Sequence, residues 1–346
     1  MTFHGPFLSQ MSKHIDALRN QCKGFGKKGL KEQISKAAKH IESKPETVDL
    51  PLLLDPFFSA VSLDPKHFQL IVLDCFRSVF VNATKNNYPS IELTEKILNS
   101  VFKQHKPEMI EQSKLKCIQI ISSCFSSFPG ILFIHAGVLS QCFHFLLTIH
   151  NQSDSSTVQE VASMTIQESF RLYIRRYREI PENPEFKSIE ELVQFNVNNL
   201  IRNTVLMHEV EKNISSTTSI SDIDIIVIVK VFTDAIQAHK LHISTLSVCN
   251  ESLLILLESD SAFLQTQIFK TLLRTDIHVA LLSLALDNHS VLANSTARLI
   301  MACWERFSPF YVEGLNDVLD RGIAVALTSP DQKVIIRSLS IFLTLT

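Results

Sequence analysis

Residues 7–43 read FLSQMSKHIDALRNQCKGFGKKGLKEQISKAAKHIES, and the fold turns on what flanks the glycines at their centre. Gly24, Gly26 and Gly29 spell G-x-G-x-x-G, a pattern that cradles a pyrophosphate only where a strand enters it and a helix leaves it. Before the glycines, Leu8, Met11, Ile15, Leu18 and Cys22 recur at steps of three and four, which is helical spacing. After them, Leu30, Ile34, Ala37, Ala38 and Ile41 fall on one face of a second helix. No acidic residue closes a βαβ unit at the expected distance. The stretch therefore predicts a glycine-rich turn between two helices, with Gly24 capping the first, and no nucleotide site.

The same pattern runs on through the chain: an amphipathic helix, a short polar turn, another helix. Turns are marked at ESKPET, SLDPKH, NNYPS, HKPE, FPG and NQSDSS, and Asp64-Pro65 reads as an N-cap followed by proline at the first helical position. Eight glycines and twelve prolines are few for 346 residues, so long stretches carry no helix breaker. IDIIVIVKVF (223–232) is β-branched enough to pass for a strand. Ser221 with Asp224 resembles a capping box, and Val227, Val231 and Ile236 keep helical spacing, so a helix is expected. The predicted fold is all-α, an elongated solenoid of stacked helix pairs of the armadillo/HEAT kind. Three regions are expected: a helical domain over 1–180, a connecting region over 181–222 that includes the polar EKNISSTTSISD, and a second helical region over 223–346. The closing QKVIIRSLSIFLTLT ends while still apolar and without a cap, which reads as a piece cut from something longer.

From Cys117 to Ser153 there is no Asp, Glu, Lys or Arg, and ILFIHAGVLSQCFHFLLTIH is long enough to raise the question of a membrane span. His135, Ser140, Gln141, His144 and His150 interrupt it, and Pro129-Gly130 breaks it from the preceding apolar stripe. A buried antiparallel helical hairpin is expected instead, with apolar surface to spare for a protein interface. Seven scattered cysteines, none in C-x-x-C, read as reduced thiols of a cytosolic protein. A net charge of −2 gives no reason to expect nucleic acid. Cys142-x-His144 with His150, and His239-x-x-His242 near Asp234, have ligand-type spacing, but spacing fixes no third ligand and core histidines are the commoner case. No nucleophile elbow, zincin, Walker or deaminase pattern is found, so neither catalysis, a metal nor a cofactor is expected.

Two basic clusters remain. The first 44 residues carry nine Lys/Arg against three acids, with Lys23, Lys27 and Lys28 in the glycine turn. FRLYIRRYRE puts Arg171, Arg175 and Arg178 on one helical face with Arg176 beside them, while Ile166, Phe170, Ile174 and Tyr177 form the buried face. These residues are the candidates for contact with anionic lipid or an acidic partner, against the plainer reading of a solvated face.

The order and wording of the helices carry a resemblance. VDLPLLLDPFFSAVSLDPKHFQLIVLDCFRSVF (48–80) and KLKCIQIISSCFSSFPGILFIHAGVLSQCFHFLLTIHNQSDSSTVQEVASMTIQESF (114–170) resemble the N-terminal dimerisation and cyclophilin-binding (DCB) domain of the large, brefeldin-A-inhibited Arf guanine-nucleotide exchange factors. Its signature pieces are LDC at 73–75 and IHAGVLSQCF at 134–143. The stretch from Ser252 to Leu327 and RSLSIFLTL (337–345) look like the start of the homology-upstream (HUS) domain. The HUS N-(Y/F)-D-C box and the exchange loop F-R-L-P-G-E are absent, and residues 187–222 match poorly. The resemblance implies a homodimerising, non-catalytic regulatory region that binds an Arf or Arf-like GTPase at Golgi or trans-Golgi membranes, cytoplasmic and peripheral. Rival readings are a Golgi scaffold of the same superfamily that lacks the exchange domain, and a HEAT-like transport adaptor.

Overall fold

The computed structural model describes residues 5–22, 28–45, 47–83, 88–126, 134–179, 219–238, 240–285 and 290–328, with 332, 335 and 336. Every regular element among them is helical, and the helices pack on one another within two compact units. The first unit comprises Met1–Ile134 with Gln152–Val161, the second His135–Asn151 with Ala162–Thr346. The connecting region expected over 181–222 lies outside the described residues as far as 218.

In the first unit, α1 (Gly5–Gln21) and α2 (Lys28–Glu42) flank the glycine turn, so no strand enters it, and residues 23–27 of the turn lie outside the described residues. The buried stripe of α1 is Phe7, Met11, Ile15 and Leu18, continued by Cys22, with Phe7 rather than Leu8 at its head. Then come α3 (Leu50–Leu63), α4 (Pro65–Val81), α5 (Ile91–Gln104) and α6 (Glu111–Ser126). The turn chemistry is local and legible. Asp49 Oδ1 accepts the Leu52 N–H and Asp64 Oδ1 the His67 N–H, both at 3.0 Å, and Ser90 caps α5 through the Leu93 N–H. Each cap meets one of the four amide groups that a helix start leaves without an internal partner. The α1–α4 seam is polar at one point: Gln10 Nε2 donates to Ser78 Oγ at 2.9 Å, His14 Nε2 lies at the same distance from it, and Ser78 donates to the Asp74 carbonyl. With its proton committed to that carbonyl, Ser78 is a packing node.

The two arms of the charge-free stretch belong to different units. α6 packs on α4 in the first, and α7 (Ala136–Asn151) on another helix of the second. On α7 the apolar surface is consumed internally: ten of its sixteen residues are buried, and only Gln141 and His144 are exposed. No described helix is long and apolar enough to cross a membrane.

In the second unit, α8 (Ser156–Glu179) contributes its residues from Ala162 onward, followed by α9 (Ile220–Ala238) and α10 (Ile243–Leu257). A 3₁₀ turn (Ala262–Gln265) leads into α11 (Gln267–Leu272), a π turn (Leu273–Ile277), α12 (His278–Ala285) and α13 (Ser290–Thr328). The strand-like 223–232 run is the middle of α9. All residues from Ile220 to Val229 are buried, because α7, α10 and α12 pack around it and Phe170 of α8 meets its Phe232 ring edge-on at 5.6 Å. A helix buried on every side needs no polar stripe, which is why its sequence shows so little helical periodicity.

Its N-terminal capping box lies two residues earlier than the sequence suggests. Ser219 N–H and Oγ–H both donate to Asp222 Oδ2 at 2.8 Å, and Asp222 N–H donates back to Ser219 Oγ at 3.1 Å. Asp224 is drawn elsewhere. Further on, His278 is held by two partners on α13: Tyr311 Oη donates to Nδ1 at 2.6 Å, and Nε2–H faces Asp317 Oδ2 at 3.2 Å. Gly314 permits this, because a Cβ there would overlap the Tyr311 ring. Across the α10–α13 seam, Arg306 Nη1 donates to the Leu257 and Ser259 carbonyls at the end of α10, at 2.5 and 2.7 Å. We expect Ser219→Ala and Asp222→Ala each to cost about 1 kcal/mol, as for other lost caps. The double variant should cost less than the sum, since the two side chains act as one box. Urea unfolding of the four proteins checks this.

Candidate functional site

Lys28 is exposed at the start of α2, while Lys23, Lys27 and the Arg178 side chain lie outside the described residues. On α8, Arg171 and Arg175 are exposed, and Arg171 pairs with Glu168 at 2.6 Å. Arg176 is a correction: it is 4 % exposed and belongs to the buried side of the helix, with Phe170 and Tyr173. Its position explains this. Arg176 is seven residues beyond buried Ser169 and three beyond Tyr173, so it shares their row rather than that of Arg175.

The partner that keeps it there is Asp224 of α9, which is fully buried. Arg176 Nη1 donates to Asp224 Oδ2 at 3.0 Å, and His135 Nδ1 lies 2.7 Å from the same oxygen. A carboxylate only accepts, so His135 carries its proton on Nδ1. The other oxygen, Oδ1, accepts the Ala136 N–H at 3.2 Å. Ala136 opens α7 with a positive φ of 44°, a left-handed conformation that costs a non-glycine residue about 1 kcal/mol. Asp224 therefore caps α7 from a neighbouring helix, and its negative charge suits the positive end of the α7 dipole. One carboxylate thus joins α7, α8 and α9. Only Oδ1 and Oδ2 are available to accept, and both are engaged by donors from named groups, which offsets the penalty of burying the charge.

Other polar contacts fasten α7 to α10. His150 Nδ1 lies 2.8 Å from Thr245 Oγ1, and Asn151 Oδ1 accepts the His242 N–H at 2.6 Å. These contacts redirect two of the residues with metal-ligand spacing. Cys142 is buried, His144 is exposed, His150 serves Thr245, and His239 lies outside the described residues. Among the described residues no three His, Cys, Asp or Glu side chains converge as metal ligands would. All seven cysteines are buried free thiols, and burial pushes Cys117, Cys124, Cys249 and Cys303 up to about 12. They stay protonated near neutral pH, without thiolate chemistry.

The Arg176–Asp224–His135 cluster has the ingredients of acid–base chemistry and none of the access. Its three side chains are at most 4 % exposed, so no substrate reaches them. What it does is hold helix ends. No protein-family model matches the chain, and no curated protein matches it closely.

Removing one member of a buried charge pair strands the other. Arg176→Met is expected to destabilise the protein by about 3–5 kcal/mol, whereas Arg175→Met should change stability by less than about 0.5 kcal/mol. Chemical denaturation of the two variants side by side checks this. A second expectation concerns pH. Burial lowers the His150 pKa from its ordinary 6.5, so below that pH the unfolded chain takes up a proton that the folded chain refuses. Stability from this group is intact above pH 6.5 and is lost progressively as pH falls toward the folded-state value. His150→Gln should flatten the loss of stability as pH falls below 6.5, measured by urea titrations at each pH.

Proposed function

We propose that this chain is a regulatory and recruitment region of a large Arf guanine-nucleotide exchange factor, with a DCB-like part followed by the beginning of a HUS-like part. In this reading the helices form a continuous armadillo/HEAT-like solenoid, associate as a homodimer and bind an Arf or Arf-like GTPase at Golgi membranes. The region carries out no exchange itself. Its role is to place and control an exchange domain elsewhere in the protein.

The observation that carries the reading is the stretch 134–143. IHAGVLSQCF resembles the family's signature, and in this fold each of its distinctive positions has a task. Ile134, Leu139, Cys142 and Phe143 are core, His135 donates to Asp224, and Ala136 makes the turn into α7. The second signature piece behaves likewise: Leu73 and Cys75 are fully buried in α4, and Asp74 between them pairs with Lys116 of α6. A likeness concentrated at positions that build helix junctions supports a shared architecture, and the function follows by analogy with that architecture.

The test is biochemical. The purified chain should bind an Arf-family GTPase in its GTP-loaded form, run as a dimer in sedimentation, and leave the rate of nucleotide release unchanged. Accelerated release would overturn the non-catalytic assignment. Absence of binding to every Arf and Arf-like GTPase tried would overturn the recruitment assignment.

A further inference from the structure

Besides Arg171 and Arg176, several cations on the described helices pair with carboxylates. Arg19 pairs with Asp16, Lys96 with Asp55, Lys116 with Asp74, Lys230 with Asp276, Arg298 with Glu251 and Glu258, and Arg321 with Asp317. Exposed cations without a carboxylate partner among the described residues occur elsewhere too, at Lys13, Lys66, Arg77, Lys103 and Arg175, but α2 gathers four on one helix. Lys28, Lys31, Lys36 and Lys39 are all exposed, and none of the four makes an ion pair with a carboxylate among the described residues. At 100° per residue they cover an arc of about 140° opposite the buried Leu30, Ile34 and Ala37, and span roughly 16 Å along the axis. Glu32 and Glu42 share the solvent face, so the helix carries net positive charge without being uniformly basic. His40 adds none: its Nε2 accepts the Asp49 N–H at 3.0 Å, which requires the neutral ring. At the α1 end, Arg19 and Lys31 line one cleft of about 430 Å³ with Ile34 and Ser35.

Charge is distributed unevenly along the sequence. Residues 1–44 hold nine Lys/Arg and three acids, whereas the remaining residues hold 24 and 32. The net charge of the first 44 residues therefore suits an anionic surface, and that of the remainder does not.

We infer that the solvent face of α2 is a docking surface for an anionic lipid bilayer, with Lys28, Lys31, Lys36 and Lys39 facing phosphate-bearing headgroups. A protein partner is the poorer fit. Protein interfaces are anchored by buried aromatic residues or arginines in pockets, and α2 offers four separate lysines and no exposed large apolar side chain. Compact ammonium charges on flexible stems suit a diffuse, mobile array of phosphates. The lack of an apolar anchor means that the helix rests on the headgroups without inserting, and that salt releases it. This inference rests on the recruitment reading for its setting, but it needs no GTPase.

The test uses the 346-residue chain and vesicles of phosphatidylcholine alone or mixed with phosphatidylserine, with no GTPase present. The chain should float with the mixed vesicles at low salt, and not with phosphatidylcholine alone. At about 1 kcal/mol per basic residue, reversal of three lysines in Lys31→Glu/Lys36→Glu/Lys39→Glu should lower the partition coefficient by about 100-fold or more. Because all three positions are exposed, the variant's thermal melt should match the parent's, and Lys31→Arg/Lys36→Arg/Lys39→Arg should bind like the parent. Failure of the parent to bind the mixed vesicles would overturn the inference, as would undiminished binding by the folded Glu variant. Binding to soluble polyglutamate as tight as to the mixed vesicles would overturn it in favour of an acidic protein. None of these outcomes touches the GTPase assay, so the two readings fail separately.

Discussion

Asp224 sits where three helices need the same thing. A carboxylate with no solvent contact must be matched by donors on both oxygens, or the helix that carries it cannot be buried. Arg176 from α8, His135 from the segment ahead of α7 and the first amide of α7 supply those donors. Each of these groups is also constrained by the arrangement: Arg176 is drawn off the solvent face of its helix, His135 is fixed in one tautomer, and Ala136 is held at a positive φ. Apolar packing alone would let α9 slide or rotate among its neighbours, since isoleucine and valine fill similar spaces. The charge cluster admits one register.

Most of the fold was legible because it rests on local chemistry. The alternation of apolar stripes with Asp-Pro, Ser and Asn turns gives the helices of the first unit, and the cap of α4 lies where Asp64-Pro65 places it. The misreadings share one cause, a partner distant in sequence. Asp224 looked like the end of a capping box because a carboxylate three residues after a serine usually is one, yet its partners lie 48 and 89 residues away. Arg176 looked like one more member of a basic face because its neighbours are arginines. A signal was present all the same. Asp224 and Lys230 are the only charges in an otherwise apolar ten-residue run, and a lone charge in such a run demands a buried partner. Lys230 has one too, Asp276 of the π turn at 2.9 Å. What the sequence could not reveal was which residues those partners are.

Sequence and structure also speak to different parts of the functional question. The residues that carry the resemblance, at 73–75 and 134–143, are mostly buried, and several of them shape how helices meet. Any partner would be recognised chiefly on surfaces that most of those residues do not reach. The exposed lysines of α2 lie outside both signature stretches, and on α8 the burial of Arg176 removes it from the basic residues available for contact. Likeness in the core therefore argues for architecture, and charge left unmatched on the surface argues for partners. The two lines of reasoning are independent, which is why a chain can be placed in an architectural class while its binding surfaces must be derived from its own residues. In this chain the surface argument is strongest where a stable fold gives no reason for the observation. Buried Asp224 needs Arg176, but nothing in the packing of α2 needs four unpaired lysines on its outer face.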